Sequence, residues 1–295
     1  MKKMKTVTYK LNLIRPDLAS GSLRLAFLTD LHNSENGPDN EDLLNAIREA
    51  GVDLILCGGD MLVGDVETPI TIAKDLVLKL AADYPIYHAL GNHEHRLKLY
   101  PHQYGPKYEE YKESLEQAGV IFLDNEQELI TVRGIPLMIS GYSLPKQAYT
   151  RVSRASLDAS RINQELGAAD RKVLNILLAH TPEYMPAYTN WGADLTLCGH
   201  FHGGIIRLGE HTGLITPNVK LFNGKCHGQY DFHSRITSGI TEEYDSHIIV
   251  SAGLGEHTLP LRFHNPRELV IVEIEISKGE KENKIHGHSG KASGV

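Results

Sequence analysis

Apolar and polar positions along the chain keep a rhythm that predicts its elements. Val7 to Leu13 alternates apolar and polar residues, the period of a half-buried strand. Leu23 to Leu28 is a second apolar run that stops abruptly at Thr29-Asp30-Leu31-His32. After a loop containing Asn36-Gly37-Pro38, the stretch Asn40 to Ala50 sets Leu43, Leu44 and Ile47 on one helical face, and Gly51 ends that helix. Val52 to Leu56 reads as a short buried strand running into Cys57-Gly58-Gly59-Asp60. Pro69 to Ala82 reads as a helix, with Ile70, Ala73, Val77 and Leu80 on one side. Pro85 to Leu90 follows as a strand running into Gly91-Asn92-His93-Glu94.

The pattern continues with a charged helix over Lys107 to Ala118 and strand-like pieces at Val120–Leu123, Leu129–Val132 and Pro136–Tyr142. Ser156 to Leu166 reads as helix, Val173 to Ala179 as a buried strand ending at His180, and Asp194 to Cys198 as another ending at Gly199-His200-Phe201-His202. From Gly203 to about Thr241 the periodicity is weak, and the stretch is expected to form long loops around a site. Val250 to Gly255 and Leu269 to Ile276 are expected to supply closing strands. Lys278 to Val295 is Lys, Gly, Ser and His with no apolar pattern, the composition of a disordered tail. No internal repeat and no linker divides the rest. The expectation is therefore one domain over 1–277 with a tail at 278–295, of α/β class, whose ligands gather beyond the carboxyl ends of the strands.

Composition narrows this reading without redirecting it. Apolar residues make up 41% and charged residues 23% of 295 positions, as in an ordinary globular chain. No apolar run reaches the ~18 residues of a membrane span, and the basic N-terminus has no hydrophobic region behind it, so it does not read as a signal peptide. Three cysteines (Cys57, Cys198, Cys226) are too few for a disulfide framework, which makes a reducing, cytoplasmic setting the expectation. A formal net charge of −7 argues against a nucleic acid ligand.

Five polar clusters each follow a short strand-like run: Asp30-Leu31-His32, Gly58-Gly59-Asp60, Gly91-Asn92-His93-Glu94, His180, and Gly199-His200-Phe201-His202. Each alone has an ordinary explanation, since a lone Asp-x-His is usually a turn and a single His after a strand is usually a hydrogen-bonded structural residue. Five in order, each at a strand end, are hard to assign to chance. Their oxygen and imidazole donors suit Mn, Fe or Zn, and the lack of thiolates argues against a closed structural zinc site. A glycine directly precedes a candidate ligand in GGD, GNH and GH, where it allows a sharp turn and a close approach of backbone to metal or phosphate.

The ordered set D-x-H, G-D, G-N-H-[DE], H and G-H-x-H resembles the calcineurin-like metallophosphoesterases, over about residues 23 to 276. GHFHGGIIRL at 199–208 and SAGLGEHTLPLRF at 251–263 resemble the bacterial YkuE-type branch. The resemblance implies a sandwich of two packed mixed β-sheets flanked by helices, and two metal ions of Mn, Fe or Zn type. One would be held by Asp30, His32 and His202, the other by Asn92, His180 and His200, with Asp60 bridging. Two such cations about 3.5–4 Å apart clamp the phosphoryl oxygens and acidify a bridging water, which becomes the nucleophile. His93 would touch the phosphate or protonate the leaving oxygen. Family members often carry Asp where this chain has Glu94, whose longer carboxylate is expected to orient His93.

The expected activity is hydrolysis of a phosphodiester or pyrophosphate, with a small phosphoester or a lipid-linked phosphate as substrate. Ile205, Ile206, Leu214, Ile215 and Phe222 could line a lipid groove, though such residues are more often core. The competing readings are a phosphomonoesterase, a nuclease of the same superfamily, and a metal-binding scaffold without catalysis. All seven ligand positions and His93 are present, against the scaffold. Cys57 and Cys198 read as packing residues. His88 and His95 match no motif position, and His211, His227, His233 and His257 read singly as solvated or structural. Arg262 either pairs with a phosphate or supports a loop.

Overall fold

The alternating N-terminal segment forms β1 (Lys5–Ile14), and the apolar run after it forms β2 (Gly21–Leu28). These coordinates are a computed structural model and describe residues 4–144, 156–204, 207, 209, 211–215, 221–237, 241–256 and 262–278. The expected tail beyond Lys278, together with Ile205, Ile206 and His257, lies outside them, as do the side chains of Leu214, Ile215 and Phe222.

After β2 the chain alternates as the pattern predicts: α1 (Glu41–Ala50), β3 (Leu54–Cys57), α2 (Thr71–Ala81) and β4 (Ile86–Ala89). Gly51 closes α1 in the left-handed conformation at φ 60°. Two helices then appear where the pattern shows none, α3 (Asn92–Leu99) and the single turn α4 (Pro101–Tyr104), before α5 (Lys107–Glu116) and β5 (Ile121–Leu123). The sequence of α3, NHEHRLKL, is polar on most faces and buries only Glu94 and Leu97, so it has no stripe to read.

The second half contributes β6 (Glu126–Val132), β7 (Ile135–Tyr142), α6 (Ala159–Leu166), β8 (Leu174–Ala179), α7 (Met185–Trp191) and β9 (Leu195–Cys198). The pattern misses α7 for the opposite reason: five of its seven residues are buried, so no polar face marks a period. The expected loops between Gly203 and Thr241 are a correction. That stretch holds β10 (Gly213–Ile215), β11 (Leu221–Asn223) and the ten-residue β12 (Gly228–Thr237), which pairs antiparallel with β13 (Thr241–Val250). β12 is a sheet edge whose sequence alternates Tyr230 and Phe232 with Gln229, Asp231 and His233, a strand period that the loop expectation overlooked. The strand expected at Val250–Gly255 is likewise replaced by β13, and residues 251–255 form a buried loop. β14 (Glu268–Ser277) follows as expected.

Two mixed six-stranded sheets result, in the orders β1-β14-β2-β3-β4-β5 and β12-β13-β9-β8-β7-β6. The two-residue period of the strands divides the core into layers. Leu25, Phe27, Leu54 and Leu56 from one sheet meet Leu174, Ile176, Leu178, Leu195 and Leu197 from the other. The alternate residues Ala26, Leu28, Ile55 and Cys57 pack under α1, α2 and α5, and Leu177, Ala179 and Cys198 pack under α6 and α7. The architecture is helix on sheet on sheet on helix. Parallel strands β2, β3 and β4 of one sheet and β8 and β9 of the other deliver their carboxyl ends to one edge of the sandwich. Among the described residues no helix is long and apolar enough to cross a membrane.

Candidate active site

Every polar cluster read from the sequence emerges at that shared edge. The loops after β2 and β3 are zipped by backbone bonds, from Asp30 N–H to Gly59 O at 3.0 Å and from His32 N–H to Asp60 O at 3.0 Å. Gly199 N–H donates to His180 O at 2.9 Å, tying the loops after β8 and β9 together. Across the sheets, the His200 N–H reaches both Asp30 carboxylate oxygens at 3.1 Å, and the His180 ring donates from Nδ1 to Gly58 O at 2.9 Å.

These loops bring three groups of donors together. Asp30, His32 and His202 each place one ligand atom within 4.8 Å of the others; so do Asp60, His180 and His200, and so do His32, Asp60 and His93. His32 Nε2 lies 3.0 Å from His202 Nε2, and His202 Nε2 lies 3.2 Å from Asp30 Oδ1. His93 meets His32 edge to face, with ring centroids 4.8 Å apart. Asp30, His32, Asp60, His200 and His202 all have left-handed backbones, with φ between 47° and 71°. Such φ values are uncommon outside glycine, though Asp and His tolerate them best, and they cluster where surrounding structure enforces them for function.

Gly59 turns as expected, with φ 90°, whereas the glycines of GNH and GH have a different cause. Gly91 has φ −93°, open to any residue, but a Cβ there would lie 2.2 Å from Asp60 Oδ1. A Cβ on Gly199 would lie 2.1 Å from Asp30 Oδ2. Both positions are glycine because a buried carboxylate occupies the space a side chain would need.

The electrostatics are those of acids forced together. Burial pushes the Asp30 carboxyl up to about 6, with His180 pulling it down and Asp60 adding to the rise. Burial also works against ionised Asp60, yet His180, His93 and His32 hold it well below the usual carboxylate range. Burial pulls His180 down, but Asp60 and Asp30 outweigh it and push it up to about 10. His93 falls below its ordinary value, chiefly through burial, with Asp60 opposing.

One of the expected ligand atoms, Asn92 Oδ1, is buried without a hydrogen-bond partner. His180 Nε2 is buried against Asp60 Oδ2 at 3.0 Å. Buried polar atoms are nearly always satisfied. An orphaned amide oxygen and converging imidazole nitrogens beside two crowded carboxylates fit a divalent cation, which supplies the missing partner and relieves the repulsion.

Glu94 departs from its expected role. Its Oε2 accepts the N–H groups of Asp60 at 2.7 Å and Gly91 at 3.0 Å, and its Oε1 accepts that of Leu62 at 2.8 Å. The carboxylate braces the Asp60 and Asn92 loops rather than orienting His93, whose Nδ1 receives the Gly64 N–H at 2.7 Å. Burial and Asp60 push Glu94 up to about 7 against the pull of those N–H donors.

Arg262 is buried beneath the site. It donates to Gly255 O and lies 3.2 Å from His202 Nδ1, so it supports the loops. Asn265, which carries no motif signal, donates to His202 O and to Gly204 O. His211, His227 and His233 bond to His227 O, Glu268 and Asp245 and join none of the metal-capable groups. His88 is buried against Tyr111, and Cys57 and Cys198 are buried free thiols.

A sequence profile of the calcineurin-like phosphoesterases matches residues 23–204, and the chain belongs to that family of metal-dependent phosphoester hydrolases. Among its relatives, the metallophosphoesterase YkoQ of Bacillus subtilis is 26% identical over 275 residues, covering 91% of this chain and 92% of that protein. YkuE of the same organism is 27% identical over 85% of this chain and 76% of its own length. Phosphodiesterase YaeI of Escherichia coli is 28% identical over 66% of this chain and 68% of its own length. The calcineurin-like phosphoesterase YfkN of Bacillus subtilis superposes with a TM-score of 0.40 at 16% identity, over 63% of this chain and 73% of that structure.

Proposed function

We propose that this chain is a dinuclear metal-dependent phosphoesterase that hydrolyses phosphodiester or pyrophosphate linkages. The observation that carries the reading is the convergence of Asp30, His32, Asp60, His180, His200 and His202 on one edge, with Asn92 Oδ1 buried and unpartnered beside them. Asp30, His32 and His202 would hold one ion and Asn92, His180 and His200 the other, with Asp60 shared between them. Bound there, two such ions neutralise phosphoryl charge and acidify water.

The chain's own residues do the rest. His180 Nδ1, bonded to Gly58 O, turns Nε2 inward, the outer-sphere arrangement that fixes a ligand's orientation. Asp60 is aimed by the His93 N–H, which donates to its Oδ1 at 2.8 Å. His93 itself assists at the phosphoryl group. Preference for a diester over a monoester is supported by the activity in the name of YaeI.

The test is hydrolysis of bis-p-nitrophenyl phosphate beside p-nitrophenyl phosphate, by chelator-treated protein resupplied with Mn²⁺, Zn²⁺ or Fe²⁺. Metal-dependent cleavage favouring the diester is expected. A monoester preference refutes the substrate choice, and two ions bound without any turnover, on these esters or on pyrophosphates, refutes catalysis.

A further inference from the structure

The lysines and arginines on α3 and on the loops that frame the site are engaged, with one exception. Lys98 pairs with Asp124, and Arg207 bonds Asn265. Arg262 is buried against Gly255 O and His202, and Arg267 donates to Glu35 O at 2.6 Å and lies 3.6 Å from Glu256. Arg96 differs from these. It is exposed and forms no ion pair among the described residues. Its hydrogen bond runs to Gly64 O at 3.4 Å, beyond the usual length for such a bond.

The helix sets where this cation stands. Arg96 follows His93 by three residues on α3, so the two share a face one turn apart. Side chains on a helix lean toward its amino end, and the amino end of α3 carries Asn92 and His93 into the site. The two side chains accordingly meet at one residue. Gly64 gives its N–H to His93 Nδ1 at 2.7 Å and turns its carbonyl to Arg96. A Cβ on Gly64 would lie 3.3 Å from Arg96 Cδ and 3.4 Å from His93 Nδ1, so both lie against the same side of it. His93 in turn shares a metal-capable group with His32 and Asp60. The guanidinium thus stands one side chain outward from the metal donors.

The loop beneath Arg96 is held in place. Lys107, on α5, donates to the carbonyls of Asp65 at 3.0 Å, Val66 at 2.6 Å and Thr68 at 2.7 Å. Asp65, the acid next to Gly64, is occupied, since its carboxylate accepts the Thr68 N–H and hydroxyl at 2.7 and 2.9 Å. A cation on a fixed support loses little freedom when an anion arrives.

Resting on the phosphoesterase reading above, we propose that Arg96 is a specificity-determining residue that binds a second anionic phosphoryl group of the substrate, beside the one at the metal donors. The substrate class it selects is a phosphoanhydride. A guanidinium takes two phosphoryl oxygens at once through parallel N–H bonds. A simple diester carries a single charge, which the metal donors claim, and leaves Arg96 in water. A hydrogen bond to a charged group is worth about 10–100-fold in affinity, and solvent around an exposed arginine keeps it near the lower end.

Two non-hydrolysable probes test this, read as inhibition of bis-p-nitrophenyl phosphate hydrolysis by the manganese-loaded enzyme. Phenyl methylphosphonate carries one phosphoryl charge, and P,P′-diphenyl methylenediphosphonate carries two. Wild type is expected to bind the second about tenfold more tightly. Arg96→Gln is expected to lose most of that preference, and Arg96→Lys, which keeps the charge without the fork, to lose less. A wild-type preference below about threefold, or one that changes by less than about threefold in Arg96→Gln, overturns the proposal. A merely structural role would weaken both probes alike and leave their ratio where it was. Both variants are expected to keep wild-type metal content by elemental analysis, because Arg96 bonds no ligand residue, and a loss of metal overturns its place outside the donors. Metal-loaded wild type that cleaves neither bis-p-nitrophenyl phosphate nor a pyrophosphate removes the phosphoesterase reading itself. Cleavage without discrimination between the probes removes only the role of Arg96.

Discussion

Glu94→Gln isolates the brace beneath the site, because it exchanges one carboxylate oxygen for an NH₂ and changes little else. The wild-type carboxylate is wholly buried and accepts three backbone N–H groups, two on Oε2 and one on Oε1. Glutamine can keep its oxygen toward Asp60 and Gly91, which turns its NH₂ toward the Leu62 N–H. One buried donor then loses its acceptor, and the two surviving bonds lose their charge assistance. A buried unsatisfied donor costs about 1–3 kcal/mol, more where a charged partner is removed, so the change is worth about 2–4 kcal/mol. Against a total of about 5–15 kcal/mol the protein stays folded. For a chain of this size the melting temperature falls by about 3–7 °C. Thermal unfolding of chelator-treated protein at pH 8 keeps the wild-type carboxylate ionised, since its value is about 7. Metal affinity is read in parallel and is expected to fall, because Asp60 and Asn92 are held by the same brace. A melting temperature within about 1 °C of wild type would refute the assignment of Glu94 as the brace.

Asp60→Asn is expected to reduce both metal occupancies together by elemental analysis, whereas loss of only one ion would show that Asp60 is not shared. Gly91→Ala, at a backbone angle that alanine adopts freely, drives a Cβ to 2.2 Å from Asp60 Oδ1, so metal affinity should fall by at least about tenfold; unchanged affinity in calorimetry contradicts the packing argument. His180, raised from 6.5 to about 10 in the apoprotein, lends it stability that is fully present below 6.5 and gone above about 10. Chelated protein should therefore lose melting temperature across that window, and metal uptake at pH 7.5 should release a proton, detectable as a buffer-dependent binding enthalpy. Asp194→Ala removes a buried carboxylate that Arg15 bonds at 2.8 Å through both oxygens, at the end of β9 away from His200, and leaves Arg15 its bond to Asp17 at 2.9 Å. It should destabilise the fold by about 1–3 kcal/mol with metal content unchanged, and a loss of metal would contradict the separation of the two ends.

The sequence by itself determined the strands and helices that have a readable period. It also marked the polar clusters that the fold gathers at one edge. The runs at β2, β3, β4, β8 and β9 are near-continuous apolar segments because they are buried on both faces, and each ends at a polar residue because the sheet edge ends there. Asp, Asn and His at five such ends announce metal chemistry before any folding is considered.

Tertiary structure decided the rest. Elements without a readable apolar stripe (polar α3 and the mostly buried α7) carry no clear period, so only packing defines them. The glycines of GNH and GH owe their identity to carboxylates that arrive from distant loops, Asp60 beside Gly91 and Asp30 beside Gly199. The roles of Glu94 and His93 turn on which backbone N–H stands opposite each side chain, Asp60, Leu62 and Gly91 for one and Gly64 for the other. Those N–H groups are identical in every residue and leave no mark on the sequence. Only the folded arrangement of the loops determines which of these amides each side chain accepts.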